Sequence, residues 1–126
     1  MTPLDILNFA EKHYSYIANL RKDNPNAPDL WLKELLKEYI ERYDMHSGLC
    51  LFLTRHTYSK DIRSILTTAI NAALNEKYNV CSSFDRKSDW WCPPPYCILH
   101  STVEDIIRDA IEPRLELINK LKLLLS

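Results

Sequence analysis

Four cysteines and four histidines are the side chains of this 126-residue sequence best suited to metal or nucleophile chemistry. Cys92, Cys97 and His100, with Cys81 or the His46/Cys50 pair as a further ligand, offer the thiolate and imidazole donors that hold structural zinc. Their spacing departs from the usual two-residue knuckle, and Pro93-Pro94-Pro95 restricts how Cys92 and Cys97 converge. A zinc bound there would be structural and closed, and zinc is the one cofactor the sequence suggests. The competing reading is four ordinary thiols in a reducing cytoplasm, because Met1 to Asp5 carry no export signal. His13, His46, His56 and His100 are each suited to acid–base work, and Cys50 or Cys92 beside one of them would make a nucleophile–base pair. No spacing fixes such a pair and no metalloprotease or paired-carboxylate motif is present, so no residue is assigned a catalytic role.

The second concentration of chemistry is Trp90-Trp91-Cys92-Pro93-Pro94-Pro95-Tyr96. Three consecutive prolines enforce an extended path with little entropy left to lose. Adjacent side chains on an extended segment point opposite ways, so burying one tryptophan tends to expose the other. Trp90, Trp91 and Tyr96, with Arg86, therefore read as a recognition surface, the alternative being a lid folded over the core. Aromatic rings for base stacking, with Arg55, Arg86 or Arg114 for phosphate, would equally suit a small nucleotide ligand.

These groups need elements to position them, and the pattern is helical nearly throughout. Thr2, Pro3 and Asp5 mark a capping box ahead of Leu4, Leu7, Ala10, Tyr14 and Ile17. Asn24-Pro25-Asn26-Ala27-Pro28 stops that helix, and a second follows with Leu32, Leu35, Leu36, Tyr39, Ile40 and Tyr43 as its apolar stripe. Gly48 to Leu53 is apolar all round and reads as a short helix capped by Ser47, with a buried strand as the alternative. Ser59 caps a helix whose inward face is Ile62, Ile65, Leu66, Ala69, Ile70, Ala73 and Leu74. Ser101 and Glu104 suggest a capping box for the last helix, with a kink or break at Pro113. The expectation is all-α: a single domain, residues 1–126, of five to six helices with one long irregular Pro/aromatic loop at about 78–100.

Composition narrows the function classes. A single glycine, Gly48, leaves no material for a phosphate loop, a dinucleotide fingerprint or a nucleophile elbow. A net charge of −1 gives no basic footprint for nucleic acid. No apolar stretch approaches the ~20 residues of a membrane span. The last helix has a surplus of leucines: Leu117, Leu123 and Leu124 lie off the stripe set by Leu121 and Leu125. Such a surplus predicts a homo-dimer, unless the helix runs through the middle of the bundle.

Gly48-Leu49-Cys50 opening an apolar segment, Trp90-Trp91-Cys92-Pro93, and Arg114 ahead of a leucine-rich last helix together resemble a pattern in small bacteriophage-encoded proteins. The resemblance implies phage origin, the host cytoplasm as location, and action by binding: blocking a host defence protein or sequestering a signalling nucleotide. The sequence reading is thus a non-catalytic binding protein and inhibitor of a host protein. A nucleotide-sequestering protein and a small Cys/His enzyme or zinc protein are its alternatives.

Overall fold

The computed structural model describes residues 2–43, 45, 48–78 and 102–126. Within them the chain is all-α: α1 (Pro3–Ala18), α2 (Leu20–Asp23), α3 (Asp29–Arg42), α4 (Gly48–Arg55), α5 (Lys60–Tyr78), α6 (Val103–Ile106), a π-helical turn (Ile107–Ile111) and α7 (Glu112–Leu125). Asn19 alone separates α1 from α2, and α6, the π turn and α7 follow one another directly. The described segments therefore amount to five rods, in line with the sequence reading. The expected irregular stretch begins after Tyr78, and its remainder lies outside the described residues.

α1, α5 and α6 start where backbone N–H groups find a side-chain acceptor. Thr2 and Asp5 form the reciprocal capping box, at 2.9 and 3.2 Å. Ser59 Oγ accepts from the Ile62 amide at 3.3 Å and so opens α5. The last helix starts differently from expectation. Thr102, not Ser101, is its cap, accepting from the Asp105 amide at 3.1 Å. Glu104 is thereby freed from capping and turns to Arg21.

Arg21 fastens several pieces at once. Its Nε donates to Glu104 at 2.8 Å, Nη1 to the Ala27 carbonyl at 2.8 Å, and Nη2 to Asp29 at 2.9 Å. One guanidinium thus joins α2, the Pro25–Pro28 turn, the first residue of α3 and α6. Asp29 also meets Lys33 at 3.5 Å, and Glu38 pairs with Arg42 one turn on at 2.9 Å. Lys122 reaches Glu11 at 2.8 Å and ties α7 to α1.

The core is one cluster, with α1 at its centre. Ile6, Leu7, Ala10, Tyr14 and Ile17 of α1 are buried, and α1 packs on α7, the π turn, α4 and α5. Ile65 and Leu117 depart from the expected pattern in opposite directions. Ile65 lies at the edge of its stripe and is 44% exposed. Leu117, expected off the core stripe, is buried with Arg114, Ile118 and Leu121. Leu117 lies four residues before Leu121 on α7, so the two share one face of a regular helix. Upstream of α7, a π turn carries the Glu112 amide to the Ile107 carbonyl, five residues back. Pro113 has no N–H and crowds the turn before it, and the wider turn absorbs that conflict while both flanks stay helical.

Candidate functional site

Three helices each bring a pair of rings four residues apart to one place: Phe9/His13 from α1, Tyr39/Tyr43 from α3 and its end, and Phe52/His56 from α4 and its end. That spacing sets both rings of a pair on one face. His13 lies at the junction. Its ring centroid is 4.1 Å from Tyr43, 4.5 Å from Phe9, 5.7 Å from Tyr39 and 6.2 Å from Phe52. His56 packs on Phe52 at 4.7 Å and Phe9 at 4.8 Å, and Tyr16 stacks on Tyr39 at 4.5 Å.

Burial among rings decides the protonation states. His13 Nδ1 lies 2.5 Å from Tyr39 Oη. Desolvation holds His13 below the ordinary imidazole pKa, helped by the nearby His56 and Lys12 charges. Desolvation also lowers His56, opposed by a hydrogen bond with the Tyr43 backbone. The Tyr39 phenol is pushed up to about 12, chiefly by burial. A protonated phenol and a neutral imidazole thus share this hydrogen bond, its direction set by the imidazole tautomer.

The Tyr39 contact occupies His13 Nδ1 whichever group donates. His56 Nε2 is buried and has no hydrogen-bond partner among the described residues. The Cys50 side chain lies outside the described residues, as do His46, Cys81, Cys92, Cys97 and His100, so neither a Cys/His pair nor the zinc ligand set falls on them. Among the described residues no group of three or more His, Cys, Asp or Glu is gathered as metal ligands. The sequence had marked His13 and His56 separately. The signal for the cluster was the repeated ring pairing at four-residue spacing on three helices.

The expected binding residues fall into three groups. Trp90, Trp91, Tyr96 and Arg86 lie outside the described residues. Arg55 is exposed at the end of α4. Arg114 is interior, 1% exposed, with its guanidinium carbon 5.5 Å above the Tyr14 ring centre and Nη1 3.5 Å from the Met45 carbonyl.

The surface offers one further feature. α5 and the end of α7 enclose an open, mostly apolar groove of about 390 Å³, lined by Ser64, Ile65, Thr68, Ala69, Ala72, Leu124 and Leu125. Ser64 and Thr68 continue it into a polar stretch bounded by Lys60 and Arg63. Leu124 is 51% exposed and Leu123 beside it 78%. No helix among the described residues is long and apolar enough to cross a membrane. No protein-family model, curated protein or solved structure matches this chain.

Proposed function

We propose that the protein acts without catalysis, by binding another protein along the α5–α7 groove. The observation that supports this is the exposed run of Ile65, Leu123 and Leu124 at a ready-made groove, while the imidazoles of α1 and α4 are turned into aromatic packing. Contiguous exposed apolar surface beside a polar end is the pattern of a docking site. Lys60 and Arg63 at that end favour an acidic partner segment. The phage resemblance makes a host defence protein the partner to test first. In its absence, the same leucines pair with a second copy of the chain. The Trp90/Trp91/Tyr96 loop, with Arg86, serves as a second contact in this reading.

Affinity capture from host lysate tests the proposal with two double variants, Leu123→Glu plus Leu124→Glu and Trp90→Ala plus Trp91→Ala. Loss of a specific partner with the leucine variant, at unchanged helicity, supports the groove. Retention by the leucine variant removes the groove as the interface. Turnover of any substrate that His13→Phe abolishes would overturn the non-catalytic reading.

A further inference from the structure

Arg114 is a cation in the core that nothing among the described residues balances. It is 1% exposed, in a shell that includes Tyr14 of α1 and Met45 of the α3–α4 connection. A guanidinium cannot shed its proton to suit an apolar site, so its charge stays. The Tyr14 ring face attracts that charge but does not neutralise it. The contact with the Met45 carbonyl occupies Nη1, at the long limit of a hydrogen bond. Nε and Nη2 are buried and have no partner among the described residues. Burying such donors unmet is costly, and native folds rarely leave it so.

The two unmet atoms share a geometry. The Nε–H bond and one Nη2–H bond run parallel along one edge of the guanidinium, spaced to meet two oxygens of one acceptor. The opposite corner is the one anchored to Met45, and one face is covered by Tyr14. The side chain is therefore fixed at its face and at one corner, while its two-pronged edge is enclosed without a partner among the described residues.

We propose that Arg114 is the seat of a bound oxyanion, held through Nε and Nη2 within the fold. The ligand class is a phosphoryl group, free or carried by a small molecule, with inorganic phosphate its smallest member. This site is separate from the α5–α7 groove and does not rest on the protein-docking proposal.

The test begins with the full chain unfolded in urea and refolded into phosphate-free buffer, so that any enclosed anion is lost. The thermal midpoint is then followed against phosphate, with chloride matched in ionic strength. A saturable rise of several degrees at about hundredfold excess over the dissociation constant is expected for phosphate and not for chloride. Arg114→Met should lose the response, while Arg42→Gln, a change at an exposed ion pair, should keep it. A larger response to adenosine monophosphate than to phosphate assigns the group to a nucleotide; the reverse assigns free phosphate.

Equal effects of phosphate and chloride, or a phosphate response retained by Arg114→Met, would overturn the proposal. A stronger response to acetate than to phosphate would overturn the phosphoryl assignment. Should Arg114→Met fail to fold, Arg114→Lys keeps the charge and loses the parallel edge, and should weaken phosphate by roughly tenfold. Equilibrium dialysis of the wild-type chain against labelled phosphate gives a further readout: about one phosphate per chain supports the site, and none refutes it.

Discussion

At the scale of single residues, His13 and His56 set how the fold responds to acid. Their folded pKa values lie below the ordinary 6.5, so the unfolded chain binds more protons in mildly acidic solution. Their stabilising contribution is complete above pH 6.5 and is lost as pH falls from there through the folded values. The thermal midpoint should therefore drop between pH 7 and 5, and His13→Phe plus His56→Phe should flatten that drop. A drop of equal size in the double variant would remove the imidazoles as its cause. Asp5 and Asp105 act in a separate window. Cap hydrogen bonds from Thr2 and Thr102 hold them below the ordinary 3.8, so their contribution fades only below that pH. Tyr39 produces the alkaline counterpart. With its phenol raised to about 12, the unfolded chain ionises first above pH 10, and stability should fall from there upward. Absorbance of tyrosinate against pH checks this, with Tyr39→Phe removing a late-titrating phenol. That variant also leaves His13 Nδ1 without its hydrogen-bond partner and should cost about 1–2 kcal/mol.

At the scale of elements, the fixing points are caps and one guanidinium. Thr102→Ala should cost about 1 kcal/mol in denaturant unfolding. Arg21→Met removes three hydrogen bonds, two of them to carboxylates; as the side chain is 26% exposed, solvent screening holds the expected loss to about 1–2 kcal/mol. A loss under a few tenths would mean that the Arg21 network does not stabilise the fold. These elements also show what the sequence made legible. Helix positions followed from caps and apolar spacing, as Thr2, Ser59 and the Leu32–Leu36–Ile40 stripe illustrate. The start of α6 was misread because Ser101/Glu104 and Thr102/Asp105 are two overlapping cap patterns, one residue apart. The choice between them is tertiary, since Arg21, 83 positions upstream, takes Glu104. Leu117 was misplaced for a local reason: it precedes Leu121 by four residues and so belongs to the stripe of Leu121 and Leu125 at ordinary helical spacing. The ring cluster was visible only as three separate pairs, because which helix faces meet depends on packing.

At the scale of the whole molecule, exposed leucines at the end of α7 lead us to expect self-association. Covering Leu123 and Leu124 is worth up to roughly 1.5–3 kcal/mol each. Light scattering at tens of micromolar should report a dimer, which Leu123→Glu plus Leu124→Glu should dissociate without loss of helicity. A monomer would leave the groove free for a different chain. The π turn governs the molecule in another way, through length. An α-helix with one surplus residue is relieved by deleting one, and removing Asp109 would restore a regular ladder up to Pro113. Because the wide turn already absorbs the surplus, α7 keeps its buried face toward α1 and α5 after that deletion. Circular dichroism of the Asp109 deletion should show a thermal midpoint close to the parent's. One alanine inserted after Glu116, in the regular part of α7, has no such slack: it turns Ile118 and Leu121 by about 100° out of the core. Its midpoint should collapse. The π turn is thus the one place along α6 and α7 where the chain should tolerate losing a residue.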